Sequence, residues 1–379
     1  MNTGQVMERW GAIVVGAGPA GCAAAYDLAA AGRSVLLLDR AEFPRHKACA
    51  GGLTRKTLRA LRYPVDAVTR ATPCAIHVER EAGQLTRLES RNPVCAMTVR
   101  QELDEYCLRQ TQARGAQFAR IGTIVAIEQD ANGVTVRTEG QSFAGRFLVG
   151  ADGVHSRVRQ LLYGPEPAWF RRGFALEAQV RPERGCASDL AFAFDAVRGG
   201  YGWVFPKRDH LNAGLYTQSA TEKLDRGRLL RWIEERFGEA AIEGVTGQYL
   251  GFGADGAPAA EGRVLLVGDA GGFADPLTGE GIYGAIASGQ AAAQAIGEAL
   301  RGGDAAHRSF VALTAPLRED LRVAASGARW FYGNLDLSFR ILTVPLLRRA
   351  MIGAFADGTK IAGLARAVRQ FAHISSGGA

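Results

Sequence analysis

The first clear pattern along the chain is the stretch 10–40, WGAIVVGAGPAGCAAAYDLAAAGRSVLLLDR. An apolar run at 12–15 predicts a buried strand, and the alanine-rich stretch 19–31 predicts a helix that opens on Pro19 and stops at Gly32. A second apolar run at 34–38 predicts another strand, ending in Asp39. Further on, 75–89 reads as strands, and a helix is expected from Thr98 to near Gly115, opened by a Thr98/Gln101 capping pattern with Arg100 in its first turn. Residues 118–128 and 134–138 predict strands joined at Asn132-Gly133, a hairpin signal, and 147–149 predicts a short buried strand before a glycine turn and a helix to 162. The period then changes. Stretches 172–180, 189–197, 200–206 and 211–217 alternate or run apolar as an antiparallel sheet would, and a helix is expected over 221–237. Strand, glycine loop and helix return over 263–300; 310–374 carries a helical pattern, and 375–379 reads as a frayed end.

These elements predict an α/β chain with a discontinuous Rossmann-type dinucleotide-binding domain, an inserted antiparallel β-sheet substrate domain and a C-terminal helical region. The expected division gives 1–74, 98–165 and 259–305 to the nucleotide domain, 75–97 and 166–258 to the substrate domain, and 306–379 to the helices.

Gly16, Gly18 and Gly21 form G-x-G-x-x-G directly after the first strand. Gly16 suits a tight turn, Gly18 lets backbone approach a phosphate, and Gly21 lets helix and strand pack closely. The helix start at Pro19 and Ala20 leaves free N–H groups for a pyrophosphate. Asp39 stands where an acid takes the ribose hydroxyls; the neighbouring Arg40 raises a 2′-phosphate alternative. The loop after it, AEFPRHKACAGGL, begins at the strand edge where such sheets bind ligands.

Composition changes little. The 379 residues are 47% hydrophobic and 22% charged, ordinary for a globular protein. The net charge of +7 comes from scattered basic residues without a Lys-rich tail, so no nucleic-acid partner is expected. Cys22, Cys49, Cys74, Cys95, Cys107 and Cys186 show no C-x-x-C spacing, and His46, His77, His155, His210, His307 and His373 show no i, i+4 pair, so no metal site is expected. No Ser-His-Asp order or paired-carboxylate cluster stands out. Residues 1–9 are polar, and no apolar run reaches spanning length. The expectation is a cytoplasmic protein in a reducing compartment, with contact to the inner surface of a membrane left open.

Three blocks, GAGPAG at 16–21, GADG at 150–153 and GDAGGFADPLTGEG at 268–281, resemble the para-hydroxybenzoate hydroxylase-like flavoprotein superfamily across nearly the whole chain. The resemblance implies FAD rather than NAD. Asp269, after Gly268, can bond the ribityl chain. The helix starting near Gly279, Gly281 and Ile282 can aim N–H groups at the flavin. Arg100 is implied to contact the FAD backbone and Asp152 to lie near the pyrophosphate. With FAD claiming the one fingerprint, the NADP reading of Arg40 is set aside.

Two further blocks resemble the geranylgeranyl reductase family. KACAGGL at 47–53 is similar to its K-x-C-G/A-G-G-L block, which puts Lys47, Cys49, Ala50 and Gly51 beside the flavin. YGWVFPK at 201–207 is similar to its Y-x-W-x-F-P block. Flavin-dependent halogenases carry W-x-W-x-I-P there, from which Tyr201 departs. The resemblance implies saturation of carbon–carbon double bonds in an isoprenoid chain, by hydride from FAD reduced by an external donor: NADPH, ferredoxin or a quinol.

Each assignment has an ordinary counterpart. Cys49 can be a small buried hydrophobe, Lys47 a solvated charge, and Asp152 and Asp269 turn caps. Tyr201, Trp203 and Phe205 alternate, so they share one strand face, which serves either as core or as an aromatic wall for an apolar substrate beside the flavin and Gly51. In the catalytic reading, the Tyr201 and Trp203 rings stabilise cationic character and Cys49 is a candidate acid or shield. An FAD monooxygenase or halogenase acting on an aromatic compound is the rival enzyme class, and a non-catalytic prenyl-lipid-binding flavoprotein the rival outside catalysis. The stretch 337–355, with Arg340, Arg348, Arg349 and Pro345, suits an interfacial segment or helices closing a tunnel.

Overall fold

The computed structural model describes residues 9–80, 84–183, 188–253, 260–302 and 305–343. Cys186, His373, the chain end 375–379 and the part of 337–355 beyond Thr343, with Pro345, Arg348 and Arg349, lie outside the described residues.

The opening strand–helix–strand unit is β1 (Arg9–Val15), α1 (Pro19–Ala30) and β2 (Val35–Asp39), with the two strands parallel. Next come β3 (Gly52–Thr54), α2 (Arg55–Ala60), β4 (Thr69–Ala71), the hairpin β5 (Ala75–Arg80) and β6 (Gln84–Glu89), and β7 (Cys95–Thr98), which pairs with β3 and β4. Then follow α3 (Arg100–Ala113), β8 (Gln117–Arg120), β9 (Ile124–Gln129), β10 (Val134–Thr138), β11 (Ser142–Gly150) and α4 (Arg157–Tyr163). The chain continues through β12 (Phe170–Pro182), β13 (Leu190–Ala193), β14 (Gly200–Pro206), β15 (Leu211–Thr217), α5 (Arg226–Phe237), β16 (Ala240–Gly253), β17 (Ala260–Glu261) and β18 (Val264–Leu266). Three helices close the described chain: α6 (Ile282–Ala299), α7 (Ala306–Gly333) and α8 (Leu335–Thr343).

The first sheet runs β17-β18-β11-β1-β2-β8, with β9 and β10 extending it from β11. From β18 to β8 its neighbours are parallel. Continuous apolar runs form these strands because both faces are covered. Ala12 and Val14 pack into the core that holds the buried face of α1 and α6, whereas Ile13 and Val15 pack with Val134, Val136 and Val158 on the other side. Small residues let α6 lie close to α1: a Cβ on Gly289 would sit 2.3 Å from the Ala20 carbonyl oxygen.

The second sheet runs β16-β12-β15-β14-β13-β5-β6. It is antiparallel as expected, except that β13 and β5 pair in parallel. That exception follows from the connection: the chain leaves β6, builds much of the first sheet and returns at β12, so no hairpin joins β5 to β13. Strand β16 had no counterpart among the expected elements. Its glycines and lack of a clean period hide it, yet it pairs with β12 along almost its full length. One face of this sheet packs on α5 through Val204, Leu229 and Ile233. The opposite face carries Tyr201, Trp203 and Tyr216.

The expected capping box at Thr98 does not form. Val99 is the N-cap of α3, without a side-chain cap, while the Thr98 hydroxyl donates to the Gly51 carbonyl at 3.0 Å. Thr98 closes β7 opposite Thr69, so pairing within the sheet takes it away from the helix. Among the described residues, no helix is long and apolar enough to cross a membrane, and no cluster of three potential metal ligands occurs.

Candidate active site

A cavity of about 1100 Å³ opens between the ligand edge of the first sheet and the aromatic face of the second. It exceeds the roughly 300–1,000 Å³ of an ordinary small-molecule site, leaving room for a cofactor together with a second ligand. Every residue singled out from the sequence for the site lines this cavity except Gly21. Gly21 lies behind it, where a Cβ would fall 1.8 Å from the Gly16 carbonyl oxygen, so its role is packing alone.

On the nucleotide side, the chain presents backbone. Gly16 has φ +104° and leaves no room for a Cβ, which would meet the Ala151 carbonyl oxygen at 2.3 Å. At Gly18 the Cβ position is open, with only Arg45 near it at 3.6 Å. Helix α1 starts there, at Pro19 and Ala20, with no side-chain cap and no acid in its first turn, so its N–H groups face the cavity unopposed. Asp39 is held at the end of β2 by the amides of Ala17 at 2.7 Å and Ala41 at 2.8 Å, and Arg40 beside it is exposed at the rim. Asp152 lines the same cavity and has a structural task as well. Its carboxylate accepts from the Ser156 hydroxyl and from the amides of Arg157 at 2.7 Å and Val158 at 3.1 Å, so it lines the cavity while capping α4.

Further in, α6 presents a second uncapped start. Gly281 is its N-cap, with no side-chain bond and no acid in the first turn, and Ile282 follows. Asp269 lies next to it, with its Oδ1 3.4 Å from the Cβ position of Gly281. Its carboxylate has one long bond, from the Gly251 amide at 3.4 Å. Burial pushes the Asp269 carboxyl up, against the pull of Lys47. Lys47 is half-buried; burial and the neighbouring Arg100 hold its ammonium below the ordinary value, opposed by Asp269 and Asp104. Arg100 is buried and forms a fork with Asp104, Nε to Oδ1 and Nη2 to Oδ2 both at 2.8 Å, which Arg45 joins at 3.0 Å. Burial would raise the Asp104 carboxyl, but Arg100 and then Arg45 outweigh it and hold it below the carboxylate range. Two uncapped helix starts, a glycine cradle and a carboxylate with free acceptors in one cavity fit the phosphates, ribose and polar flavin edge of FAD.

The opposite side of the cavity is built of side chains. Tyr201, Trp203 and half-buried Phe205 all face the cavity from β14, and Phe192 lies 5.4 Å from the Tyr201 ring and 5.2 Å from the Phe205 ring. Ile76, Val78, Leu88, Leu190 and Phe331 extend this wall into an apolar arm. The polar tips of the aromatics are occupied. Trp203 Nε1 donates to Asn212 at 2.7 Å, and the Tyr201 hydroxyl donates to the Thr278 carbonyl.

Sequence reasoning missed several residues that shape this site. Glu177 on β12 lines the cavity, and its Oε1 accepts the Cys49 N–H at 2.8 Å; burial pushes its carboxyl up. A charge between Leu176 and Ala178, within the apolar part of the strand, was the available signal. Buried Lys207 looks in sequence like an ordinary lysine after a strand end. Asp104 was signalled by its i, i+4 spacing from Arg100. Glu280 joins Lys56 at 2.6 Å and accepts from the Thr54 hydroxyl at 2.6 Å, tying the loop before α6 to α2.

The fold and this cavity define an FAD-binding flavoprotein of the oxidoreductase class. A family model for the FAD binding domain matches residues 9–312. The geranylgeranyl diphosphate reductase of Rhodobacter capsulatus is 31% identical over 351 residues, 88% of this chain and 83% of that one. The menaquinone reductase of Mycolicibacterium smegmatis is 30% identical over 323 residues, 78% of this chain and 76% of that one. The chain therefore belongs to the FAD binding domain family, in its geranylgeranyl reductase branch. Among solved structures, a geranylgeranyl bacteriochlorophyll reductase-like protein from Thermoplasma acidophilum superposes with a TM-score of 0.79 at 21% identity, over 96% of this chain and 99% of that one, and so shares the fold.

Proposed function

We propose that this protein saturates carbon–carbon double bonds of an isoprenoid chain. The observation that carries the reading is the shape of the cavity, whose backbone-lined FAD side and apolar aromatic arm form one continuous space. The name of the relative from Rhodobacter capsulatus, geranylgeranyl diphosphate reductase, supports a prenyl chain as substrate.

In this reading FAD, once reduced by NADPH, ferredoxin or a quinol, supplies the hydride that alkene saturation requires. The chain's own residues do the rest. Gly16, Gly18, Pro19 and Ala20 receive the pyrophosphate, with Gly21 packed behind them. Asp39 and Arg40 hold the adenosine end, and Gly268 and Asp269 hold the ribityl chain. Gly279, Gly281 and Ile282 turn the α6 amides toward the flavin edge. Lys47, Ala50, Gly51, Arg100 and Asp152 complete the cofactor side. Tyr201, Trp203 and Phe205, with Gly51, orient the double bond and exclude water. The Tyr201 and Trp203 faces stabilise cationic character on the alkene by about 0.5–2 kcal/mol. Tyr201 acts through its ring, since its hydroxyl donates to Thr278 and burial pushes its pKa up. Cys49, half-buried on the cavity wall, is the candidate acid or shield.

The direct test is anaerobic incubation of dithionite-reduced protein with a prenyl-lipid extract, read by mass spectrometry. Gains of two hydrogens per double bond are expected. Turnover that needs oxygen would instead favour a monooxygenase, and tight lipid binding without any mass gain would favour a carrier.

A further inference from the structure

The loop that carries Cys49 is gripped from the second sheet by two buried side chains of opposite charge, which neither the glycine motifs nor the aromatic strand explains. Glu177 accepts the Cys49 N–H at 2.8 Å. Lys207, immediately after β14 and 2% exposed, donates from Nζ to the Ala50 carbonyl at 2.5 Å and to the Thr98 carbonyl at 2.9 Å. The Thr98 amide and hydroxyl both donate back to the Gly51 carbonyl, at 2.8 and 3.0 Å. Cys49, Ala50 and Gly51 thus each have a main-chain group held by a partner outside the loop. The fit is tight: Gly51 has φ +66°, and a Cβ there would lie 2.1 Å from the Thr98 carbonyl oxygen and 3.0 Å from Lys207 Nζ. Burying an ammonium is costly, and both bonds of this one go to carbonyls rather than to a carboxylate, so its place is explained by what it holds.

We propose that Lys207 is the positioning residue of the Cys49 loop: by drawing the Ala50 and Thr98 carbonyls onto one ammonium, it presents Cys49 and the Gly51 turn to the cavity in a single orientation. The role rests on the reading of this cavity as a reducing site, and Lys207 acts through the loop rather than on the substrate.

A pH dependence follows. Burial lowers the Lys207 ammonium to about 8, with Cys49, Glu177 and Cys95 acting in the opposite direction. These are the groups that face it from the loop, β12 and β7; Arg100 lies beyond Cys49 and interacts with that thiol. His210, whose carbonyl accepts the Lys207 amide at 2.8 Å, turns its ring to Asp209 at 3.0 Å. Below about 8 the grip is charge-assisted; above it the neutral amine holds the carbonyls more weakly.

Amide hydrogen exchange of the holoenzyme tests this, read as protection factors at about pH 7 and about pH 9, a span over which loss of charge assistance corresponds to about a tenfold change. Wild-type protection in the peptide 47–53 should fall between the two, while peptides from β1 and β14 hold theirs. Lys207→Met should lower protection in 47–53 about tenfold already at the lower pH, with β1 and β14 unchanged. Lys207→Arg, which stays charged throughout, should hold the loop equally at both. Unchanged exchange of 47–53 in Lys207→Met, an equal rise in β1, or a wild-type pH response in Lys207→Arg would each overturn the assignment. Exchange needs no substrate, so a failure to reduce prenyl chains would refute the proposed reaction and leave this result intact.

Discussion

The two walls of the cavity are built from different parts of the residue. On the FAD side the wall is main chain: Gly16, Gly18, Gly268, Gly279 and Gly281, with the starts of α1 and α6, neither of which has a side-chain cap. Opposite, it is side chain: Tyr201, Trp203, Phe205, Phe192 and the aliphatic arm. A main-chain wall resists substitution: a Cβ at Gly16 meets the Ala151 carbonyl, Gly16, Gly268 and Gly279 have positive φ, and at Gly18, where a Cβ has room, a side chain would cover the backbone that faces the cavity. A side-chain wall changes shape with every residue on it while the strand beneath stays put. In the proposed function, the cofactor is therefore built into the backbone, and the choice of substrate into replaceable rings.

The sharpest way to break this contrast is Gly21→Ala. One methyl group, aimed at the Gly16 carbonyl 1.8 Å away, must push β1 and α1 apart. Destabilisation of about 3 kcal/mol or more is expected, with FAD lost on purification, as read by the flavin-to-protein absorbance ratio. A polar equivalent comes next. Asp104→Ala strands buried Arg100, with Arg45 beside it, at an expected cost of about 3 kcal/mol in chemical denaturation. Because the Asp104 carboxyl is held below its ordinary value, it stabilises the fold at neutral pH, and that contribution is lost as pH falls through the depressed value. Asp104→Asn should accordingly flatten stability across the acidic limb, whereas an unchanged acid profile would remove this pair from the account.

The same contrast explains what was legible in advance. The glycine turn, Asp39 and the strand–helix–strand unit could be read because only glycine tolerates φ +104° at position 16 and only apolar runs survive burial on both faces. The alternation at 201–205 announced a shared face, and that face does line the cavity. Lys207 was not legible, because its partners come from distant segments, and Glu177 showed only as a charge in a strand, without its partner 128 residues away. Nothing near position 207 says that its ammonium will meet the carbonyls of residues 50 and 98. Thr98 misled for a related reason: its local pattern fits a helix cap, but β7 pairing and the Gly51 turn claim it.

On the side-chain wall, effects should be smaller and confined to the substrate. Phe205 is only half-buried, so Phe205→Ala should leave FAD content and the fold near wild type. Removing the ring should weaken binding of a prenyl chain about tenfold in a direct titration, the loss of roughly 1–2 kcal/mol of apolar contact. A matching loss of FAD would show that the walls are not separable.

The smallest effect is expected where the walls meet. Three tyrosine hydroxyls grip consecutive carbonyls of the loop before α6: Tyr216 donates to Pro276 at 3.1 Å, Tyr332 to Leu277 at 2.7 Å, and Tyr201 to Thr278. Asp275 holds the same turn from within, accepting from the amides of Leu277 at 2.8 Å and Thr278 at 3.2 Å. Tyr332 belongs to α7, so this helix reaches the loop that leads into the cavity-lining start of α6. Tyr332→Phe keeps the ring and removes one of the three bonds, at a net cost of about 1 kcal/mol. Exchange protection of the amides at 277–279 should fall about fivefold while FAD content and prenyl affinity hold, since the other two tyrosines and Asp275 still fix the turn. A fall in FAD content comparable to that of Gly21→Ala would mean that the backbone wall depends on a side chain of α7 for its shape, and the division between the walls would have to be redrawn there.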